Sequence, residues 1–72
     1  MYIEDITDND LREFLGWFAD WHGRTLEADA VMTTCMTGYF KTYPKAADGL
    51  LTRCRKLKLL DVTKGIATIT MQ

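Results

Sequence analysis

Apolar side chains first recur with a helical spacing at Leu11, Phe14, Leu15, Phe18, Trp21 and His22. Steps of three and four residues put them on one face of a helix. Thr7-Asp8 offers an N-cap, and Asp10 and Glu13 follow near the positive end, where carboxylates are favoured. Gly23 supplies a left-handed stop, so the pattern predicts a first helix over about 8–22. Ahead of it, Tyr2 to Ile6 reads either as a short strand or as an ordered arm.

A second helix is predicted over about 26–41, capped by Thr25 with Glu27 and Asp29 in its first turn. Ala28, Val31, Met32, Cys35, Met36 and Tyr39 form its apolar side, and Glu27, Ala30, Thr33, Thr34 and Thr37 the other. Threonines lower helix propensity, so packing has to hold this segment. Pro44 ends it, because the residue before a proline disfavours helix, and then opens a third helix over about 44–57. Ala47, Leu50, Leu51, Cys54 and Leu57 make the inward stripe of that helix. Lys45, Gly49, Thr52 and Lys56 lie opposite, with Arg53 and Asp48 on the flanks.

From Leu59 the period changes to two. Leu59–Thr63 and Ile66–Met71 alternate β-branched and polar residues around Lys64-Gly65, which predicts a tight hairpin over about 59–71. The expected fold is therefore mostly α, three helices closed by a small C-terminal β-hairpin, in one domain covering 1–72.

Charge adds what the net value of −1 hides. Residues 1–30 carry eight acids against Arg12 and Arg24, whereas residues 31–72 carry seven bases against Asp48 and Asp61. Such asymmetry points to a surface meant for a polyanion, or to halves that attract each other within the fold. No apolar run approaches the ~20 residues that span a bilayer. The acidic start is unlike a secretory signal, so the cytoplasm is the expected compartment and no membrane partner is expected. Cys35 and Cys54 fall on apolar stripes and read as free thiols rather than a disulfide.

Helix, helix, short turn, helix and an immediate hairpin is the order of the winged helix-turn-helix superfamily. The resemblance rests on Pro44-Lys45-Ala46-Ala47-Asp48-Gly49-Leu50-Leu51-Thr52-Arg53-Cys54-Arg55-Lys56-Leu57 followed by Leu59-Leu60-Asp61-Val62-Thr63-Lys64-Gly65. This stretch is similar to that family's recognition helix running into a strand and a wing. Two departures stand out: Lys58-Leu59-Leu60 replaces the usual glycine followed by aliphatics, and the Thr63–Ile66 wing tip is short. The resemblance implies that the third helix lies in a major groove, with Lys45, Thr52, Arg53 and Lys56 near bases or phosphates. Arg53 would read a guanine edge, and Lys45, Lys56 and Lys64 would neutralise phosphates.

No catalytic or metal site is expected. His22 with Cys35 and Cys54 lacks ligand spacing, no serine exists for a nucleophilic set, and the acid pairs belong to a terminus and a cap. No cofactor is implied. Trp17, at the margin of the first helix's apolar face, is either core edge or an anchor for a second copy or a protein partner, and Phe40 could share the anchoring role. Two functions follow. The first is a small DNA-binding regulator of transcription acting on duplex DNA through 44–57. The second is a protein-interaction module or inhibitor, of the kind used by viruses and mobile elements, on the same scaffold without nucleic acid.

Overall fold

Thr7 starts the first helix by a reciprocal capping box. Its Oγ1 accepts from the Asp10 N–H at 3.1 Å, and its own N–H donates to Asp10 Oδ2 at 2.9 Å. The computed structural model describes residues 3–26 and 29–71. A 3-10 turn, Ile3–Asp5, stands where a strand or arm was expected. It leads into α1 (Asp8–His22), β1 (Thr25–Leu26), α2 (Asp29–Tyr39), α3 (Pro44–Lys56), β2 (Leu60–Thr63) and β3 (Ile66–Ile69). Three helices and an antiparallel hairpin make up the expected class, and no helix among the described residues is long and apolar enough to cross a membrane.

One strand escapes the sequence pattern. β1 pairs antiparallel with β3, Thr25 opposite Thr68 and Leu26 opposite Ala67, giving a sheet of order β1-β3-β2. Thr25 is thus a ladder residue and not the cap of the second helix, which begins at Asp29. The Glu27 and Ala28 assigned to that helix lie outside the described residues. The reason is the second edge of β3, whose backbone groups need partners. The Ile69 N–H donates to the Arg24 carbonyl at 2.7 Å, and the Arg24 guanidinium donates to the carbonyls of Ile69 and Met71. Period-two signals cannot register in a strand two residues long.

The core joins all the layers. Leu11, Phe14, Leu15 and Phe18 of α1 meet Met32 and Met36 of α2, Ala47, Leu50, Leu51 and Cys54 of α3, and Leu59, Leu60, Ala67 and Ile69 of the sheet region. α2 is rotated relative to its predicted face. Its inward line is Met32, Met36 and the following Phe40, whereas Val31 and Tyr39 reach the surface. Phe40 is only 4% exposed, so it is a core residue and not a partner anchor. Trp21, read as core, is 74% exposed because it falls at the margin of the face that buries Leu11, Phe14, Leu15 and Phe18, next to Trp17.

Both interior helix ends use one device. At the end of α2 the Thr42 N–H donates to the Thr37 carbonyl and the Lys41 N–H to that of Gly38. At the end of α3 the Leu59 N–H donates to Cys54 and the Lys58 N–H to Arg55. These are the paired bonds of a Schellman motif, with Lys41 (φ 52°) and Lys58 (φ 59°) in the left-handed position that glycine usually fills. The departure at Lys58-Leu59-Leu60 therefore leaves the local geometry intact. In the hairpin, Lys64 (φ 53°) and Gly65 (φ 77°) are both left-handed, as a two-residue type I′ turn requires.

Lys58→Gly should raise stability by about 0.5–1 kcal/mol by removing a left-handed side-chain clash, read as a higher urea midpoint at unchanged slope. Burial pushes the Cys54 thiol up from its ordinary 9.0 to about 11, with the Arg53 charge pulling the other way. The folded chain thus holds that proton more tightly than the unfolded one. Its contribution is complete below about pH 9 and is lost as pH rises towards 11. Urea unfolding across this range should show an alkaline loss of stability that shrinks in Cys54→Val.

Candidate nucleic-acid interface

The inward stripe of α3 decides what its other side presents. With Ala47, Leu50, Leu51 and Cys54 buried, Lys45, Gly49, Thr52 and Lys56 come out along the solvent side, each exposed. Thr52 Oγ1 donates to the Asp48 carbonyl one turn back, at 3.0 Å. Pro44 fills the first helical position, no side chain caps the end, and no acid sits in the first turn. Lys45 therefore adds its charge to an already positive helix terminus.

The two flanks differ. Arg53 turns towards α1, where its Nη1 donates to the Ile6 carbonyl at 2.9 Å and its Nη2 to Asp8 Oδ1 at 2.8 Å. This is the one ion pair among the described residues. The guanidinium that sequence reasoning assigned to a base edge is therefore engaged by the first turn of α1, part-buried at the helix junction. On the other flank Arg55 and Lys56 join Thr52, Leu60 and Asp61 around an open hollow of about 460 Å³ between α3 and β2. The Asp61 carboxylate there accepts from Thr63 Oγ1 at 2.9 Å. Lys64 stands exposed at the hairpin tip.

Lys45, Thr52 and Lys56 thus share one side of α3, Lys64 marks the end of the adjoining hairpin, and Arg53 leaves the group for the opposite flank. Arg55 joins the hollow without having been singled out. Its helical position placed it beside Asp48, but only the docking of β2 against that flank turns it into a lining residue. His22 packs its ring on Phe18 at a centroid distance of 4.6 Å, and Cys35 and Cys54 are free thiols.

These elements define a helical domain with a small antiparallel hairpin, compatible in shape with a winged helix. The chain matches no protein-family model, no curated protein and no solved structure.

If Arg53 serves the fold, Arg53→Met should cost about 1 kcal/mol, because a charge-assisted bond to the Ile6 carbonyl and a half-exposed ion pair are lost together. Asp8→Asn should cost less. A double-mutant cycle should return a coupling of about 0.5 kcal/mol, measured by denaturant unfolding.

Proposed function

We propose that this domain is a winged-helix protein that binds duplex DNA and regulates transcription, laying the exposed side of α3 in the major groove. The observation that carries this reading is the unbroken solvent line of Lys45, Gly49, Thr52 and Lys56 on a helix that runs directly into a hairpin. A helix fits the major groove, and glycine in the middle of the line permits close approach to base edges. The positive start of α3 with Lys45 suits a phosphate. Arg55 and Lys56, around the hollow beside β2, and Lys64 at the hairpin tip add further phosphate contacts.

The strand β1 also supports the reading. It lies between the first and second helices in the chain and pairs along β3, so that the hairpin is braced on one edge rather than free. Arg53 has no place in the contact set, because its guanidinium holds α3 against α1. Its part is to set the angle at which the helix is presented. Thr52 is left as the base-reading candidate, and the lysines provide affinity without sequence choice.

Electrophoretic mobility shifts on random duplex DNA across a salt series test this. Three to four neutralised phosphates predict a slope of log affinity against log salt of about −3 to −4. Lys45→Glu with Lys56→Glu should abolish the shift. Lys64→Asn, which keeps a residue suited to the left-handed turn, should weaken it by only a few fold and flatten the slope by about one unit. Absence of a shift at low salt, or a double reversal that binds as tightly as the parent, overturns the proposal.

A further inference from the structure

A second surface, sharing no residue with the α3 line, is carried by α1. Glu13, Trp17, Asp20 and Trp21 fall at i, i+4, i+7 and i+8 and share the side of α1 turned from the core. All four are exposed. Trp17 is 40% and Trp21 74% accessible, unusual for side chains of that size in a domain short of core. Tyr39 of α2, 43% exposed, continues the surface, with its ring 5.3 Å from that of Trp17 and 5.1 Å from that of Phe14. Phe14 in turn stacks on the buried Phe18 and Phe40 at 5.8 and 5.6 Å. Trp17 and Tyr39 therefore stand on a packed inner layer, so little order has to be gained when something docks on them, and Trp21 projects beside them into solvent.

The charges select the occupant. An indole face attracts a cation through its quadrupole, and a carboxylate one helical turn away attracts the same cation by charge. On α1 the two kinds of group alternate. α2, from Asp29 to Tyr39, contributes no basic residue beside them. A nucleic-acid strand stacking on Trp21 would bring its phosphates against Glu13 and Asp20, and an anionic bilayer would meet the same repulsion. A second copy docking by the same face would oppose carboxylate to carboxylate.

We propose that the Glu13–Trp17–Asp20–Trp21 ridge, extended by Tyr39, is a docking surface for an arginine-bearing amphipathic segment of a protein partner. Guanidinium groups stack on Trp17 and Trp21 and pair with Glu13 and Asp20, while the apolar residues of the segment lie against Tyr39. Arginine suits the ridge better than lysine because its planar fork stacks on an aromatic face and pairs with a carboxylate at the same time. This surface shares no residue with the one proposed for DNA.

The probe is a synthetic amphipathic peptide with leucine on one face and arginine on the other, compared with the same peptide carrying glutamate for arginine. Binding is followed by tryptophan emission and by calorimetry. The arginine peptide should bind and the glutamate peptide should not. Trp21→Ala should weaken binding about 10-fold, and at 74% exposure it leaves the core untouched, as circular dichroism will verify. Asp20→Asn with Glu13→Gln should weaken binding several fold and reduce its salt dependence. Lys45→Glu with Lys56→Glu should leave peptide binding unchanged, which separates this surface from the nucleic-acid one. Equal binding of both peptides, no binding of either, or an unaltered affinity in Trp21→Ala overturns the proposal. So does a concentration-dependent dimer in sedimentation that Trp21→Ala disperses, since the ridge would then be a self-interface.

Discussion

The rotation of α3 about its own axis is held by Ala47, Leu50, Leu51 and Cys54, and the exposed faces of the domain follow from it. These four side chains enter a core shared with Leu11, Phe14, Leu15 and Phe18 of α1, Met32 and Met36 of α2, and Leu59, Leu60, Ala67 and Ile69 near the sheet. Truncating one buried leucine in such a core costs about 2–5 kcal/mol, a large part of the stability of a domain this size. A turn of α3 by one residue would bury Asp48, Thr52 and Arg55 one way, or Gly49 and Arg53 the other, and would turn Cys54 out of the core, so the alternatives are closed. The lysine line and the hollow beside β2 are consequences of that packing.

Two arginines complete the frame by serving backbone carbonyls. Arg53 ties the last turn of α3 to the Ile6 carbonyl and Asp8, and Arg24 ties the segment after α1 to the end of β3. These carbonyls lie at the ends of elements, and a charged donor is among the stronger ways to satisfy them. The charge asymmetry between the chain's halves is thereby divided. One basic residue of the second half is spent on an acid of the first, and Glu13 and Asp20 on one side and Lys45, Lys56 and Lys64 on another stay at the surface.

The exposed line of α3 carries Lys45 and Lys56 beside small residues, with Asp48 and Asp61 at its margin, whereas the outer ridge of α1 carries Trp17 and Trp21 beside Glu13 and Asp20. Groups so arranged have opposite preferences for a polyanion and for a cationic segment. This difference underlies the two proposals, a duplex for one surface and a cationic protein segment for the other.

The periodicities of the chain were enough to determine α1 over 8–22, the start of α3 at Pro44, the tight turn at Lys64-Gly65 and the inward residues of α3, because each depends on local sequence or on one strongly amphipathic face. What they could not determine depended on neighbours. β1 exists only because β3 has a second edge to satisfy. Phe40 is inside and Val31 and Tyr39 are outside because α2 is rotated by the layers it meets. Trp21 is at the surface because it falls at the margin of the face that α1 buries. Arg53, on a flank that sequence leaves facing nothing in particular, meets Asp8 and the Ile6 carbonyl there, and Arg55 on the other flank meets the sheet. A helical repeat states which residues share a side, but which neighbour faces that side is decided only when the helices and the sheet pack together.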